Sequence, residues 1–283
     1  MKLDEFQAHV KTSGRAAYAD FGAGRPALFL HGVGSNGSLW RNVIGLLRDD
    51  GGRRCIALDL PLHGSTPATS DDDFTLHGLA EYVEGFCESL GLTGIDLVAN
   101  DSGGAVAQVF AAKYPERLRT LTLTNCDTKN NIPPEEFRGT VEAAAAGQLA
   151  ALSASPDLAE LARGVLSTSY EHIEKVDAEV LRGFFEPVLG TMELGRQFER
   201  FLVEAIRPDD LADIEPLLAK TTVPTLIAWG DGDDFFPLSD AHWLRDLIPG
   251  VVEVVEIDGA RLFFVDERAE DLVPHLRRHW AAY

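Results

Sequence analysis

The chain has 283 residues, with 45 acidic and 25 basic side chains and a formal net charge of −20. Its 45% hydrophobic and 25% charged residues are typical of a globular protein and argue against disorder. The acidic excess disfavours nucleic acid or an anionic membrane as a partner, because both attract clustered Lys and Arg.

The first half of the chain alternates short apolar runs with stretches that carry apolar residues at helical spacing. Strands of this length separated by helices predict βαβ units and a parallel sheet. The helical stretches are 74–90 and 103–113, and the predicted strands are 27–30, 55–60, 95–100 and 121–126.

The middle of the chain differs, because 130–220 contains no convincing strand. Prolines divide this segment into three or four predicted helices. Strands resume at 225–230 and 251–257, and further helices are predicted near 238–247 and 267–281. The pattern therefore predicts a helical insert that interrupts an α/β sheet after its fourth parallel strand.

The most informative loop is LVANDSGGA, which begins in the third predicted strand. Ligands of open α/β sheets bind at the carboxyl ends of strands, and a nucleophile elbow there needs small residues around its nucleophile. With Asp101 at the centre, the residues two positions away, Ala99 and Gly103, are both small. With Ser102 at the centre, Asn100 fits less well, so Asp101 is favoured. The alternative is an ordinary turn in which Asp or Ser caps the following helix.

Five features in this order resemble the α/β-hydrolase superfamily over nearly the whole chain. They are HGVG (31–34), DLPLHGST (59–66), NDSGG (100–104), the helical insert, and WGDGDDFFP (229–237). An aspartate in the elbow resembles the branch with haloalkane dehalogenases and epoxide hydrolases, whose carboxylate forms an ester with the substrate. The resemblance implies a mostly parallel central sheet flanked by helices. It divides the chain into a core of 1–128 and 220–283 and a helical cap of 129–219.

The resemblance also implies roles for individual residues. Asp101 would be the nucleophile, and the backbone N–H groups of Val33 and Ser102 would form the oxyanion hole. Asp233 would be the acid that orients a catalytic histidine. Asp127, just past the fourth predicted strand, is the alternative acid.

The chain departs from the family where the catalytic histidine is expected, because Leu262 occupies that position. Leucine cannot accept a proton, so an ester at Asp101 would form and then stall unless another base acts. His31 and His63 are the least unsuitable histidines, although both are expected to brace their loops. A carboxylate such as Asp233 or Asp127 is the other substitute.

Apolar side chains are expected to line a pocket for a hydrophobic small molecule. The predicted pocket residues are His31, Trp40, Phe235, Leu262 and Phe263. The first hypothesis is a cofactor-free hydrolase that acts on an ester, epoxide or haloalkane through Asp101. The second is a lyase, isomerase or cyclase that uses Asp101 and Asp233 as acid and base. The third is a small-molecule-binding protein that has lost catalysis.

The expected compartment is the cytoplasm. The first ten residues lack the apolar core of a signal peptide, and no apolar run approaches the ~20 residues of a membrane span. The 3 cysteines form no C-x-x-C pair, which suits a reducing environment. No metal-binding pattern of His and Cys occurs, so we expect neither metal nor cofactor. If the chain associates with itself, a homodimer is the expected form.

Overall fold

The central feature of the computed structural model, which describes residues 1–48 and 51–283, is one sheet. Its strands are β1 (Val10–Ser13), β2 (Ala16–Gly22), β3 (Arg25–Leu30), β4 (Arg53–Leu58), β5 (Ile95–Asn100), β6 (Leu118–Thr124), β7 (Thr225–Gly230) and β8 (Val251–Ile257). Their spatial order is β1-β2-β4-β3-β5-β6-β7-β8. β2 runs antiparallel to both β1 and β4, and every other neighbouring pair is parallel.

Helices connect the strands and cover the sheet. The α-helices are α1 (Leu3–Gln7), α2 (Arg41–Leu47), α3 (Leu76–Leu90), α4 (Ser102–Lys113), α5 (Arg138–Ala145), α6 (Leu158–Val165), α7 (Ala178–Leu189), α8 (Met192–Ala205), α9 (Pro208–Leu218), α10 (Leu238–Leu247), α11 (Phe264–Glu267) and α12 (Ala269–Ala282). Short 3₁₀ turns occur at Gly37–Trp40, Pro115–Arg117, Glu135–Phe137, Ala150–Ala154 and Ile173–Lys175.

Apolar strands and amphipathic helices explain the layering. Every residue of β5 and β7 is buried, as expected for parallel strands with helices on both faces. α2, α11 and α12 pack together, and α3, α4 and α9 form a second group. The mostly parallel sheet flanked by helices that the sequence predicted is therefore confirmed.

The six strands predicted from the sequence correspond to β3–β8. β1 and β2 were not predicted. β1 is an exposed edge of only four residues, and β2 reads AAYADFG, with few of the β-branched residues that mark strands. These two strands extend the sheet through antiparallel pairing.

The segment between β6 and β7 is helical, apart from an isolated bridge between Thr128 and Asn131. Residues 129–206, which contain α5 to α8, are called the insert below. α5 and α6 pack against α8 and α7 respectively, whereas α9 packs against α4 and α3. We therefore propose that the cap ends before α9 rather than at residue 219.

Candidate active site

A strained turn joins β5 to α4. Its single connecting residue, Asp101, has φ of +59° and ψ of −141°, a conformation that is costly for a residue with a side chain. The Asp101 N–H donates to the carbonyl of Asn125 at 2.8 Å, and the Gly104 N–H donates to the Asp101 carbonyl at 2.8 Å. Ser102 is already the first residue of α4. The turn therefore presents Asp101 at the carboxyl edge of the sheet.

Close packing around this turn explains the glycines beside it. A methyl group on Gly103 would overlap the His31 carbonyl, and one on Gly104 would overlap the Cys126 side chain. A methyl group on Gly32 would overlap the Asp101 carboxylate itself. The HGVG loop therefore lies directly against the carboxylate, and only glycine permits this approach.

The Asp101 carboxylate is buried, with 8% of the residue exposed. Burial raises its pKa to about 7, the charge of Asp233 raises it further, and hydrogen bonds from the N–H groups of Ser102 and Val33 oppose the rise. The Val33 N–H also donates to the Ser102 hydroxyl at 3.0 Å. The two amides proposed for an oxyanion hole thus contact the Asp101 carboxylate in the resting structure.

Asp233, in the loop after β7, is held by an asparagine. The Asn125 amide donates to Asp233 at 2.8 Å and to the Gly230 carbonyl at 2.9 Å. The Phe235 N–H donates to the other Asp233 oxygen at 2.9 Å. Burial raises the pKa of Asp233 to about 7 despite these hydrogen bonds. Because the Asn125 carbonyl also accepts from Asp101, one residue fixes the positions of both carboxyls.

Leu262 lies in the loop after β8 and is 4% exposed. The buried Asn100 side chain donates to its carbonyl at 3.1 Å. The next residue, Phe263, donates its N–H to the Ser169 carbonyl of the insert at 2.8 Å. The loop is thus fixed from both the sheet and the insert, and it places an apolar side chain at the position where the family resemblance implies a histidine.

The histidines nearest in sequence to the glycine loops are structural in this arrangement. The His31 Nδ1 donates to the Gly32 carbonyl at 2.8 Å, and its Nε2 accepts from the Leu60 N–H at 3.0 Å. Because Nε2 accepts, Nδ1 is the donor and the ring is neutral. Burial lowers the pKa of His31 to about 3 and that of His63 to about 4. The His63 Nδ1 lies 3.1 Å from the Pro61 carbonyl.

Asp127 is the most isolated carboxyl of the site. The residue is 1% exposed, and its Oδ1 has no hydrogen-bond partner within the described part of the chain. Burial raises its pKa well above the ordinary value, and the charges of Asp101 and Asp240 raise it further. Gln108 donates to the Asp127 backbone carbonyl at 2.8 Å rather than to its side chain. Burial and the neighbouring acids therefore favour the protonated form of Asp127.

These residues meet at a cavity of about 440 Å³ between the sheet edge and the insert. From the core it is lined by Val33, Asp101, Asp127, Asp234, Phe235, Phe236, Leu262 and Phe263. From the insert it is lined by Pro134, Glu136, Phe137, Thr140, Val165, Leu166, Thr168, Ser169 and Ile206. A cavity of this size, mostly apolar with a few polar groups, is typical of a small-molecule site.

Three of the residues proposed for the pocket, Phe235, Leu262 and Phe263, line this cavity. Among the described lining residues, the other two predicted pocket residues, His31 and Trp40, do not occur. Trp40 is fully buried and packs its ring on Phe29, with 5.3 Å between centroids, because the 3₁₀ turn at Gly37–Trp40 directs it into the core. None of the eight histidines is a lining residue within the described chain.

Two asparagines were missed from the sequence. Asn100 is the last residue of β5, and Asn125 directly follows β6. Polar residues at the carboxyl ends of strands often face a ligand, so this position could have marked both asparagines as site residues. Their partners, Asp233 and the Leu262 carbonyl, are more than a hundred residues away in the chain and could not be read from it.

Residues 1–48 and 51–283 contain neither a metal-binding group of side chains nor a membrane-spanning helix. Within them, no group of three or more His, Cys, Asp or Glu residues is arranged to hold a metal ion. In the same part of the chain, no helix combines the length and apolar character needed to cross a lipid bilayer.

The architecture and the sequence match known proteins. A family model described as the alpha/beta hydrolase fold matches residues 26–268. A 2-hydroxy-6-oxo-6-phenylhexa-2,4-dienoate hydrolase from Comamonas testosteroni is 29% identical over 233 residues, covering 81% of this chain and 77% of that protein. A thermophilic esterase from Thermogutta terrifontis has a TM-score of 0.74 and 26% identity, covering 94% of this chain and 93% of that one. A haloalkane dehalogenase from Bradyrhizobium elkani has a TM-score of 0.77 and 21% identity, covering 97% of this chain and 99% of that one. This likeness shows the shared fold.

Proposed function

The chain belongs to the α/β-hydrolase family, and from this premise we propose that it is a cofactor-free hydrolase whose nucleophile is Asp101. The substrate is a neutral hydrophobic molecule of the ester, epoxide or haloalkane type. One observation carries the proposal: Asp101 occupies the strained turn, and its carboxylate lies against the HGVG loop beside the N–H groups of Val33 and Ser102, which lower its pKa.

This geometry suits a two-step reaction through a covalent adduct, which is an ester of Asp101 for an epoxide or haloalkane and a mixed anhydride for an ester substrate attacked at its acyl carbon. In the first step one Asp101 oxygen bonds to the substrate carbon and the leaving group departs. The other oxygen becomes the ester carbonyl and stays on the Val33 and Ser102 amides. In the second step water attacks that carbonyl, and the same amides stabilise the negative oxygen, an effect worth about 3 kcal/mol per donor in enzymes.

The pKa of Asp101 favours this role. A carboxylate with a pKa of about 7 is partly ionised at neutral pH and is more basic than an ordinary aspartate. Its burial also keeps water away from the attacking oxygen. These properties support nucleophilic attack in a dry cavity.

The cavity supports a neutral substrate. No Lys, Arg or His occurs among its described lining residues, so an anionic group would find no cationic partner there. The Asp101 carboxylate, when ionised, would repel such a group. Phe137, Phe235 and Phe263 instead offer aromatic surface to an apolar molecule.

The test is intact-protein mass spectrometry after incubation with benzyl bromide, styrene oxide and phenyl acetate. We expect a mass gain from at least one probe, mapped to Asp101 and absent from Asp101→Asn. Ser102→Ala, which keeps the backbone amide, should still be labelled. A label that survives Asp101→Asn but disappears in Ser102→Ala would overturn the assignment of the nucleophile.

A single-turnover reaction in heavy-oxygen water tests the second step. If water attacks the ester carbonyl, the heavy oxygen enters the Asp101 carboxylate in the first turnover. Direct attack of water on the substrate would place it in the alcohol product instead. That outcome would exclude a covalent Asp101 intermediate.

A second candidate is a non-hydrolytic acid–base reaction, which the raised pKa values of both Asp101 and Asp233 favour. Two carboxyls that titrate at about 7 can exchange protons with a substrate without a covalent step. This reaction would give product with no protein mass gain and no heavy oxygen in Asp101.

A further inference from the structure

Asp127 is a buried acid for which the fold provides no use. Its Oδ1 is without a hydrogen-bond partner in the described residues, and a buried unpaired polar group costs stability. The residue lines the same cavity as Asp101. An unpaired polar atom at a cavity wall indicates a group that is paired only when a ligand is present.

The groups around Asp127 keep its proton in place. Asp101 in the β5–α4 turn and Asp240 on α10 are acidic, and the neighbouring Cys126 thiol has a pKa raised by burial. Gln108 of α4 donates to the Asp127 backbone carbonyl rather than to its side chain, and the hydrogen bond from the residue's own N–H opposes the rise of its pKa. Among the described groups that act on this pKa, none is a cation. The acidic neighbours therefore favour the protonated form of Asp127.

We propose that Asp127 is the catalytic acid and base of the Asp101 reaction: it protonates a leaving oxygen and then takes a proton from water. This inference rests on the proposed function and assigns the proton transfers that Leu262 cannot perform.

The first step balances for a substrate whose leaving group is oxygen. The Asp101 carboxylate forms a C–O bond, the carbon–oxygen bond of the substrate breaks, and the released oxygen takes the Asp127 proton. The products are the Asp101 ester, a hydroxyl group and the Asp127 carboxylate. One negative charge has moved from Asp101 to Asp127, so the pair never carries two charges.

The second step returns the negative charge from Asp127 to Asp101. Water adds to the Asp101 ester carbonyl while the Asp127 carboxylate accepts a proton. The ester C–O bond breaks, and the alcohol leaves with the second proton of that water, passed on from the Asp101 carboxyl group. Asp101 is again a carboxylate and Asp127 again an acid, with one water consumed.

The leaving group should therefore control the fate of the ester. Styrene oxide removes the Asp127 proton during ring opening and creates the base for hydrolysis. Benzyl bromide releases bromide, which needs no proton, and leaves Asp127 protonated. In the wild-type protein we expect the styrene oxide adduct to turn over and the benzyl bromide adduct to persist at least about tenfold longer.

Asp127→Asn should affect labelling by the two probes differently. Its labelling by styrene oxide should be slowed by about a hundredfold or more, whereas labelling by benzyl bromide should stay within about threefold of wild type. Any adduct formed should then persist, because the base is lost. Asp127→Glu should restore part of the styrene oxide reaction, and Asp209→Asn, an exposed carboxylate on α9, should match wild type.

The outcomes distinguish this inference from the proposed function. No adduct at Asp101 with either probe overturns both. Adducts at Asp101 whose lifetimes are equal for the two probes and unchanged in Asp127→Asn overturn the role of Asp127 alone. If Asp127→Asn does not fold, the comparison of the two adduct lifetimes in the wild-type protein still decides.

Discussion

At the scale of single residues, the charge of Asp233 acts on the titration of Asp101. The two carboxyls are linked through Asn125, and repulsion between them raises the pKa of Asp101. A neutral residue at 233 removes that repulsion and makes Asp101 easier to ionise.

We expect Asp233→Asn to lower the pH midpoint of Asp101 labelling by benzyl bromide below its wild-type value of about 7. The check is the rate of mass gain measured across pH. Asp231→Asn is a matched control, because Asp231 lies in the same loop and accepts from the Gly259 N–H. A midpoint that stays fixed or rises in Asp233→Asn would contradict the repulsion.

Some site residues could be predicted one by one and others could not. Asp101 was accessible because a sharp turn leaves a local trace, the small residues Ala99 and Gly103. The partners of Asn100 and Asn125 leave no such trace, since hydrogen bonds between distant strands follow only from the folded sheet. That Asp127 Oδ1 has no hydrogen-bond partner among the described residues could not be predicted either, because it depends on what surrounds the residue in the fold.

At the scale of elements, the loop after β8 is the place where we propose that the chain departs from its family. Its backbone is fixed by Asn100 and by Ser169, so a new side chain at Leu262 should keep its position beside the cavity. An imidazole there could accept the proton from water that leucine cannot.

We therefore expect Leu262→His to restore hydrolysis in the Asp127→Asn protein, shortening the lifetime of the benzyl bromide adduct by about tenfold or more. The lifetime is followed by the decay of the adduct mass. Leu262→Asn in the same background is polar but not basic and serves as the control. Equal lifetimes for the two double variants would show that no base acts from this loop.

Element prediction succeeded where the apolar pattern was strong. β3 to β8 are buried strands with clear turns, and α3 and α4 carry apolar residues at helical spacing. The pattern could not show which face of an element meets the cavity. Trp40 was expected in the pocket, but packing on Phe29 buries it. A hydrophobic residue near a site packs into the core or lines the pocket, and sequence spacing does not separate these outcomes.

At the scale of the whole molecule, the buried carboxyls oppose folding as pH rises. The pKa of Asp101 is about 7 in the folded chain against an ordinary value of 3.8. The folded state therefore binds this proton more tightly, and the stability it gives is lost progressively as pH rises from the ordinary value through about 7.

Asp101→Asn removes this cost. We expect its free energy of unfolding to exceed that of wild type by about 1–3 kcal/mol near pH 8, with a much smaller difference near pH 4. Urea unfolding at the two pH values measures the effect. The exposed substitution Asp209→Asn should show no such dependence. A variant that is less stable than wild type near pH 8 would contradict the assignment of a strained, buried carboxylate.

The cavity has two walls of separate origin. The carboxyls come from the ends of strands in the core, whereas Phe137, Thr140, Val165 and Ser169 belong to the insert. Substitutions at Phe137, Thr140 or Val165 would change the shape of the cavity without altering the hydrogen bonds that hold Asp101 and Asp233. In proteins that descend from this chain, substitutions in the insert can therefore change which substrate shape fits the cavity. Asp101 and Asp127, the two acids that would act on the substrate, can stay the same.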